Sequence, residues 1–144
     1  RRDHLLQIIE PALAKGHVVL CDRFTDATFA YQGGGRGFDT RILSQLEQWV
    51  QARPDETIRQ PDVTLWFSLD PKIAAQRLAT ARLPDRFESQ PLAFFQHVHN
   101  AYAERAKADA TRFAIIPADA SMDEVRQSVQ RVLQERGFLP ANAA

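Results

Sequence analysis

Asp22 and Arg23 follow a short apolar run, His17-Val18-Val19-Leu20-Cys21, that is preceded by Gly16. A run of that length and make-up reads as a strand buried on both faces. In open α/β sheets, ligands bind outside the carboxyl ends of the strands. A carboxylate and a guanidinium at such an end can hold a hydrated cation and a phosphate, or can form no more than a local ion pair. Arg77, Arg82 and Arg86 gather around a break between two helices, with Asp85 and Glu88 among them. A mobile arginine-bearing segment of this kind can neutralise the charge of a phosphoryl-transfer transition state; the alternative is a solvated loop of mixed charge.

Other chemistries find less support. Gly33-Gly34-Gly35-Arg36-Gly37 neither follows a strand nor directly opens a helix, so it does not match the dinucleotide-binding fingerprint and reads as a flexible connection between helices. No phosphate-cradling G-x-x-x-x-G-K-[ST] loop occurs in the 144 residues. His97 and His99, two apart on a predicted helix, point to nearly opposite sides and cannot share a metal. His4 and His17 lack ligand-like neighbours, and no Ser/His/Asp arrangement can be argued. Cys21, placed in an apolar strand, reads as an inert core thiol.

The elements that must position these residues alternate strand with helix. Leu5, Ile8, Ile9, Ala12 and Leu13 form one face of a helix that Pro11 should kink or divide and Gly16 should stop. Asp39 can cap a helix striped by Ile42, Leu43, Leu46, Trp49 and Val50. Val63 to Leu69 reads as a second strand, followed by Asp70-Pro71 as N-cap and first helical residue. That helix fades near Ala81. Pro91 opens another, with Phe94, Phe95, Val98 and Tyr102 on one side, and Phe113 to Pro117 is a third strand. Ser121 and Glu124 make a capping box before a last helix that Gly137 ends. Three apolar strands alternating with helices give a parallel α/β sheet covered on both faces. Three is few for so many helices, so the expectation is an α/β domain without its beginning.

Composition bounds the rest. A chain of 16.3 kDa with 44% apolar and 25% charged residues is a single ordinary globular domain, residues 1–144. Lys+Arg and Asp+Glu are 18 each, which argues against nucleic acid as main partner. One cysteine excludes an internal disulfide framework and points to a reducing compartment. No apolar run approaches a membrane span. The basic residues divide into 15 Arg and 3 Lys, which suits planar capture of phosphate or carboxylate, or simply reflects base composition. From the residues alone, the reading is an α/β phosphate-handling domain.

Several motifs in register take this further. Asp22-Arg23-Phe24 followed by Ala30-Tyr31-Gln32-Gly33 resembles the D-R-[YFH]…A-Y-Q-G signature of the thymidylate kinase family. Pro11-Ala12-Leu13 with Gly16 is similar to its P-A-L-x-x-G, and Pro61-Asp62-Val63-Thr64-Leu65 to its P-D-[LV]-T-[LI] strand entry. Asp85-Arg86-Phe87-Glu88 resembles the lid motif D-R-x-E; Phe94, Phe95 and Tyr102 stand where the family places aromatic residues after the lid. The resemblance runs from Arg1 to about Leu139. Three positions depart from the pattern: Ala27 replaces a usual Ser, Ser68 a common Asp, and Asp3-His4 a Gln-His.

The resemblance implies a P-loop NTPase-like parallel sheet of order 2-3-1-4-5, with the N-terminal strand, P-loop and helix lying outside these 144 residues. Strand 1 would fall between the strands expected at 17–21 and 63–69. The implied activity is transfer of the ATP γ-phosphoryl group to dTMP, with ATP and Mg²⁺ as cofactors. The alternatives are another nucleoside-monophosphate kinase or a non-catalytic nucleotide-binding module. By the same resemblance Arg23, beside Asp22, would hold the dTMP phosphate, Arg1 would contact the thymine and Thr28 would read the base. Tyr31 would pack under the sugar, with Gln32 near enough to assist. Arg82 and Arg86, in a lid of about 82–90, would close on ATP, and Ala118, Asp119 and Ser121 would border the adenine. It also implies a cytoplasmic homodimer with no membrane or nucleic-acid partner, and no dedicated metal ligands in this chain.

Overall fold

The computed structural model describes residues 1–80 and 91–140. The chain opens on a helix in three registers: α1 (Arg2–His4), a π-helical segment π1 (Leu5–Ile9) and α2 (Glu10–Ala14). Pro11 stands in the first turn of α2. Proline supplies no amide to the carbonyl one turn earlier and crowds it, and the wider π turn immediately upstream absorbs that defect. Gly16, at φ +77°, ends the helix as expected. Arg2 donates to the Ala52 carbonyl at 2.8 Å, tying this end to the last turn of a later helix.

Residues 17–21 correct the first strand expectation. They lie in no strand, with Val18 72% and Leu20 90% exposed, and Cys21 is exposed rather than a core thiol. An apolar run signals burial, but a strand also needs a hydrogen-bonding neighbour. The backbone here is unpaired with the sheet, and instead borders an open apolar cavity of about 490 Å³. Leu5, Ile9, Leu13, Val63, Leu133 and Phe138 are among its lining residues.

The next helix begins as α3 (Thr25–Thr28) and widens into a π-helical segment π2 (Phe29–Gly35). This corrects the glycine cluster, read above as a flexible connection. Gly33, Gly34 and Gly35 are inside π2, which packs along α6 (Leu92–Ala108). A Cβ on Gly34 would stand 2.5 Å from the Ala101 Cβ and 2.8 Å from the His97 carbonyl oxygen. Their small size, not their freedom, is what the packing uses. Helix α4 (Thr40–Gln51) starts at Asp39, whose carboxylate accepts from the Arg41 amide at 2.8 Å. Of its expected apolar stripe only Leu43 is buried; Ile42, Leu46 and Trp49 are exposed.

Strand β1 (Thr64–Ser68) pairs in parallel with β2 (Phe113–Pro117), Thr64 opposite Phe113 and Ser68 opposite Pro117. Between them come α5 (Pro71–Thr80), which Asp70 caps through the Lys72 amide, and α6. The register sets Trp66, Phe113 and Ile115 on one face of the pair and Phe67 and Ile116 on the other; Trp66 and Ile116 are buried on their opposite faces, while Phe67 and Ile115 remain 51% and 57% exposed. Trp66 and Phe113 pack on Ala106, with Tyr102 and Ala103 beside them. Helix α7 (Met122–Glu135) carries the predicted capping box, Ser121 and Glu124 satisfying one another's amides, and Gly137 ends it at φ +77°. No helix among the described residues is long and apolar enough to cross a membrane.

Candidate functional site

Arg23 occupies a left-handed backbone conformation, φ +64°, at the turn from the extended segment into α3. A non-glycine residue there is strained, and such strain persists only where neighbouring structure holds it. The turn presents its guanidinium over the Tyr31 ring, 5.1 Å from the centroid. From the other side Arg1 reaches across, donating from Nη2 to Thr28 Oγ1 at 2.5 Å and lying 5.4 Å from the centre of the Phe24 ring. Four residues singled out from sequence thus meet in two pairs around α3 and π2, Arg1 with Thr28 and Arg23 with Tyr31. Two guanidinium groups set against aromatic walls provide planar cation donors for an anionic ligand with a flat ring.

The wall behind them is a column of rings. Tyr31 meets Phe94 edge-on at 6.2 Å and Tyr102 at 6.4 Å; Tyr102 stacks on Trp66 at 5.7 Å. Trp66 in turn leans on His99 at 5.2 Å, and His99 Nε2 shares a 3.3 Å hydrogen bond with Ser68 Oγ. Burial pushes the Tyr102 phenol up to about 12, and the neighbouring Tyr31 adds to the shift. Tyr102 accordingly stays neutral throughout the physiological range. Position in α6 and π2 is thus transmitted to Tyr31 through rigid rings.

The remaining predicted residues are placed as follows. Asp22 and Gln32 are exposed, and the Gln32 carbonyl accepts from the Phe38 amide. Arg82 and Arg86 lie outside the described residues, so the lid does too. Arg77, on α5, donates to the Ala118 carbonyl at 3.0 Å, while the Ala118 amide donates to the Ser68 carbonyl at 2.8 Å. Those bonds fix the loop after β2 against β1 and α5. Asp119 is exposed, and the Ser121 hydroxyl is engaged by Glu124, whose own carboxyl its hydrogen bonds hold below the ordinary range. Among the described residues no three His, Cys, Asp or Glu side chains come together as a metal site.

Sequence reasoning missed the polar centre beneath the site. Asp26, 3% exposed, receives Arg105 Nε at 2.6 Å and Arg112 Nη1 at 2.7 Å, one on each carboxylate oxygen. Arg112 also donates to Thr64 Oγ1 at 2.8 Å and to Asp109 at 2.8 Å. Glu47 of α4 accepts from Thr25 Oγ1 at 2.8 Å and from Gln60 at 3.0 Å, and lies 3.5 Å from Arg105. Burial raises the Asp26 carboxyl, but the hydrogen bonds and charges of Arg112 and Arg105 outweigh it and leave the group below its ordinary value. The only signal in the sequence was an acidic residue amid aromatic and small neighbours. Its partners stand 79 and 86 positions away, beyond any local pattern.

Comparison with known proteins shows the family. The family model described as thymidylate kinase matches residues 1–129. The chain belongs to the thymidylate kinase family. It is 59% identical over 143 residues to a thymidylate kinase of Albidiferax ferrireducens, and 54% identical over 144 residues to one of Paracidovorax citrulli. These alignments cover 96% and 98% of this chain but 66% and 65% of the relatives, so the chain spans slightly less than two thirds of their length. A crystal structure of the thymidylate kinase from Ehrlichia chaffeensis aligns with TM-score 0.67 at 30% identity, over 93% of this chain and 60% of that one. The α/β arrangement of a thymidylate kinase is therefore the fold of these residues.

Proposed function

We propose that this chain carries the acceptor side of an enzyme that phosphorylates dTMP to dTDP with ATP. The observation that carries the reading is the pair of arginine contacts around α3 and π2, Arg23 over the Tyr31 ring and Arg1 on Thr28 beside Phe24. Arg23 binds the monophosphate, its planar fork matching two phosphate oxygens. Arg1 and Thr28 meet the edge of the base, and Tyr31 packs beneath the sugar and disfavours a 2′-hydroxyl. Discrimination of thymine from uracil by one methyl is worth about 1–3 kcal/mol in a fitted pocket.

The acceptor oxygen is already anionic, so the protein need not supply a strong base; positioning and charge neutralisation dominate. When bound, ATP with Mg²⁺ supplies the phosphoryl group. Mg²⁺ takes most of its ligands from phosphate and water, and Asp22 is an exposed carboxylate next to Arg23 that can meet its hydration shell. Ala118, Asp119 and Ser121 border the adenine, and Arg82 and Arg86 close over the phosphates. A cytoplasmic homodimer completes the reading.

A coupled assay of ADP release by the intact gene product tests it, with dTMP expected to exceed dCMP, dGMP and thymidine. Arg23→Ala should lower kcat/KM by about a hundredfold or more, the scale of losing a positioned charge on a transferred phosphoryl group. Near-normal turnover in that variant would remove Arg23 from the phosphate role.

A further inference from the structure

The strained turn at Arg23 and the first turn of α3 are held from below by one carboxylate. Asp26 follows Arg23 by three residues and precedes Thr28 by two. It is gripped on both oxygens by arginines from two separate elements, Arg105 near the end of α6 and Arg112 at the entry to β2. Thr25, fully buried, pins the same turn to Glu47 of α4. Arg105 also sits over the Phe29 ring, 4.0 Å from its centroid, in the next turn along. The turn is therefore fixed to α4, α6 and the sheet at once.

We infer that Asp26, through its paired bonds to Arg105 and Arg112, is a positioning residue that holds Arg23, Thr28 and Tyr31 in their ligand-binding arrangement. The inference rests on the reading of those three as the monophosphate site. A left-handed arginine relaxes to an ordinary conformation unless the residues after it are locked. The clamp supplies that lock, and it does so from side chains that touch no ligand. The charges of Asp26, Arg105 and Arg112 are compensated within the cluster, so removing the Asp26 charge leaves both arginines without the partner they share and the turn free to shift.

The effect belongs to the acceptor side alone. Asp26→Asn keeps the shape of the side chain and removes its charge, and Arg105→Lys keeps the charge and removes the fork. Arg105 is only 22% exposed by side chain but reaches the surface, so the lysine variant is the milder of the two. With the intact gene product, Asp26→Asn should raise KM for dTMP about tenfold with KM for ATP unchanged, and Arg105→Lys about threefold in the same pattern, as misplaced binding groups do. If Asp26→Asn does not fold, Arg105→Lys decides. A folded variant whose dTMP KM stays at the wild-type value would overturn the inference. So would a fall in kcat with both KM values unchanged, the mark of a smaller folded fraction. Wild-type protein that does not turn over dTMP would overturn the functional reading itself, before any variant is compared.

Discussion

At the scale of single residues, Arg23 sets stability against function. Its left-handed φ of +64° costs about 1 kcal/mol in a residue with a Cβ. Comparing Arg23→Ala with Arg23→Gly isolates that cost, because both remove the guanidinium and its contact with Tyr31. Glycine accepts the conformation freely but gains entropy in the unfolded chain, which offsets part of the benefit. Arg23→Gly should therefore be slightly the more stable of the two, by up to about half a kcal/mol in urea unfolding, and both should lose monophosphate binding. An alanine variant more stable than the glycine one, by the full entropic cost of glycine, would show that no strain resides at this turn. The abundance of arginine over lysine also finds its meaning here. Arg59 forks onto Glu10 with two bonds of 2.7 Å, and Arg105 and Arg112 share Asp26. Planar, multiply donating side chains tie distant elements together where an ammonium would not.

At the scale of elements, the interface between π2 and α6 decides how the ring of Tyr31 is presented. Gly34→Ala would place a methyl 2.5 Å from the Ala101 Cβ and 2.8 Å from a backbone oxygen, and neither can turn aside. The helices must separate, at a cost of about 1–3 kcal/mol for overpacking. Gly37 provides the control: at φ +69° it has nothing within 4 Å of an added Cβ, so Gly37→Ala pays conformational strain alone, about 1 kcal/mol. Thermal melts should rank Gly34→Ala below Gly37→Ala, and only the former should weaken dTMP binding; equal effects would mean that close approach is not what the glycine cluster provides. What was legible from sequence follows the same division between local and distant causes. The caps at Asp39, Asp70 and Ser121, the strands at 64–68 and 113–117 and the helix after Pro91 are written within a few residues of themselves. Arg23 and Tyr31 were singled out by one short signature and Arg1 and Thr28 by the wider family resemblance; the structure shows Arg1 on Thr28 and Arg23 over Tyr31. Residues 17–21 were misread because apolar character cannot say whether a paired neighbour exists. Asp26 went unnoticed because its role depends on two arginines far along the chain.

At the scale of the whole molecule, the described residues form a two-stranded sheet, and an apolar cavity of about 490 Å³ lies open among the described residues. Val18 and Leu20 stand exposed at its border, and Ile42, Leu46 and Trp49 add a second apolar stripe along α4. Water-facing apolar surface gathered in this way favours association, and an extended segment with unpaired backbone beside it offers hydrogen bonds as well. A polypeptide of these 144 residues should therefore run above 16.3 kDa in light scattering at micromolar concentration and bind a hydrophobic dye. Leu20→Lys bears directly on the cause. Leu20 is 90% exposed, so the lysine removes nothing from the core, yet it places a charge at the mouth of the cavity. The substitution should lower both the associated fraction and the dye signal while leaving helix content in circular dichroism unchanged. If the unsubstituted chain is monomeric, dye-silent and melts cooperatively, its described core holds without the cavity being covered, and the clusters around Ala30 and Trp66 are sufficient for the fold. If instead it associates and Leu20→Lys does not reverse this, the stripe on α4 becomes the surface responsible, and substituting Trp49 would then be the change that restores the monomer.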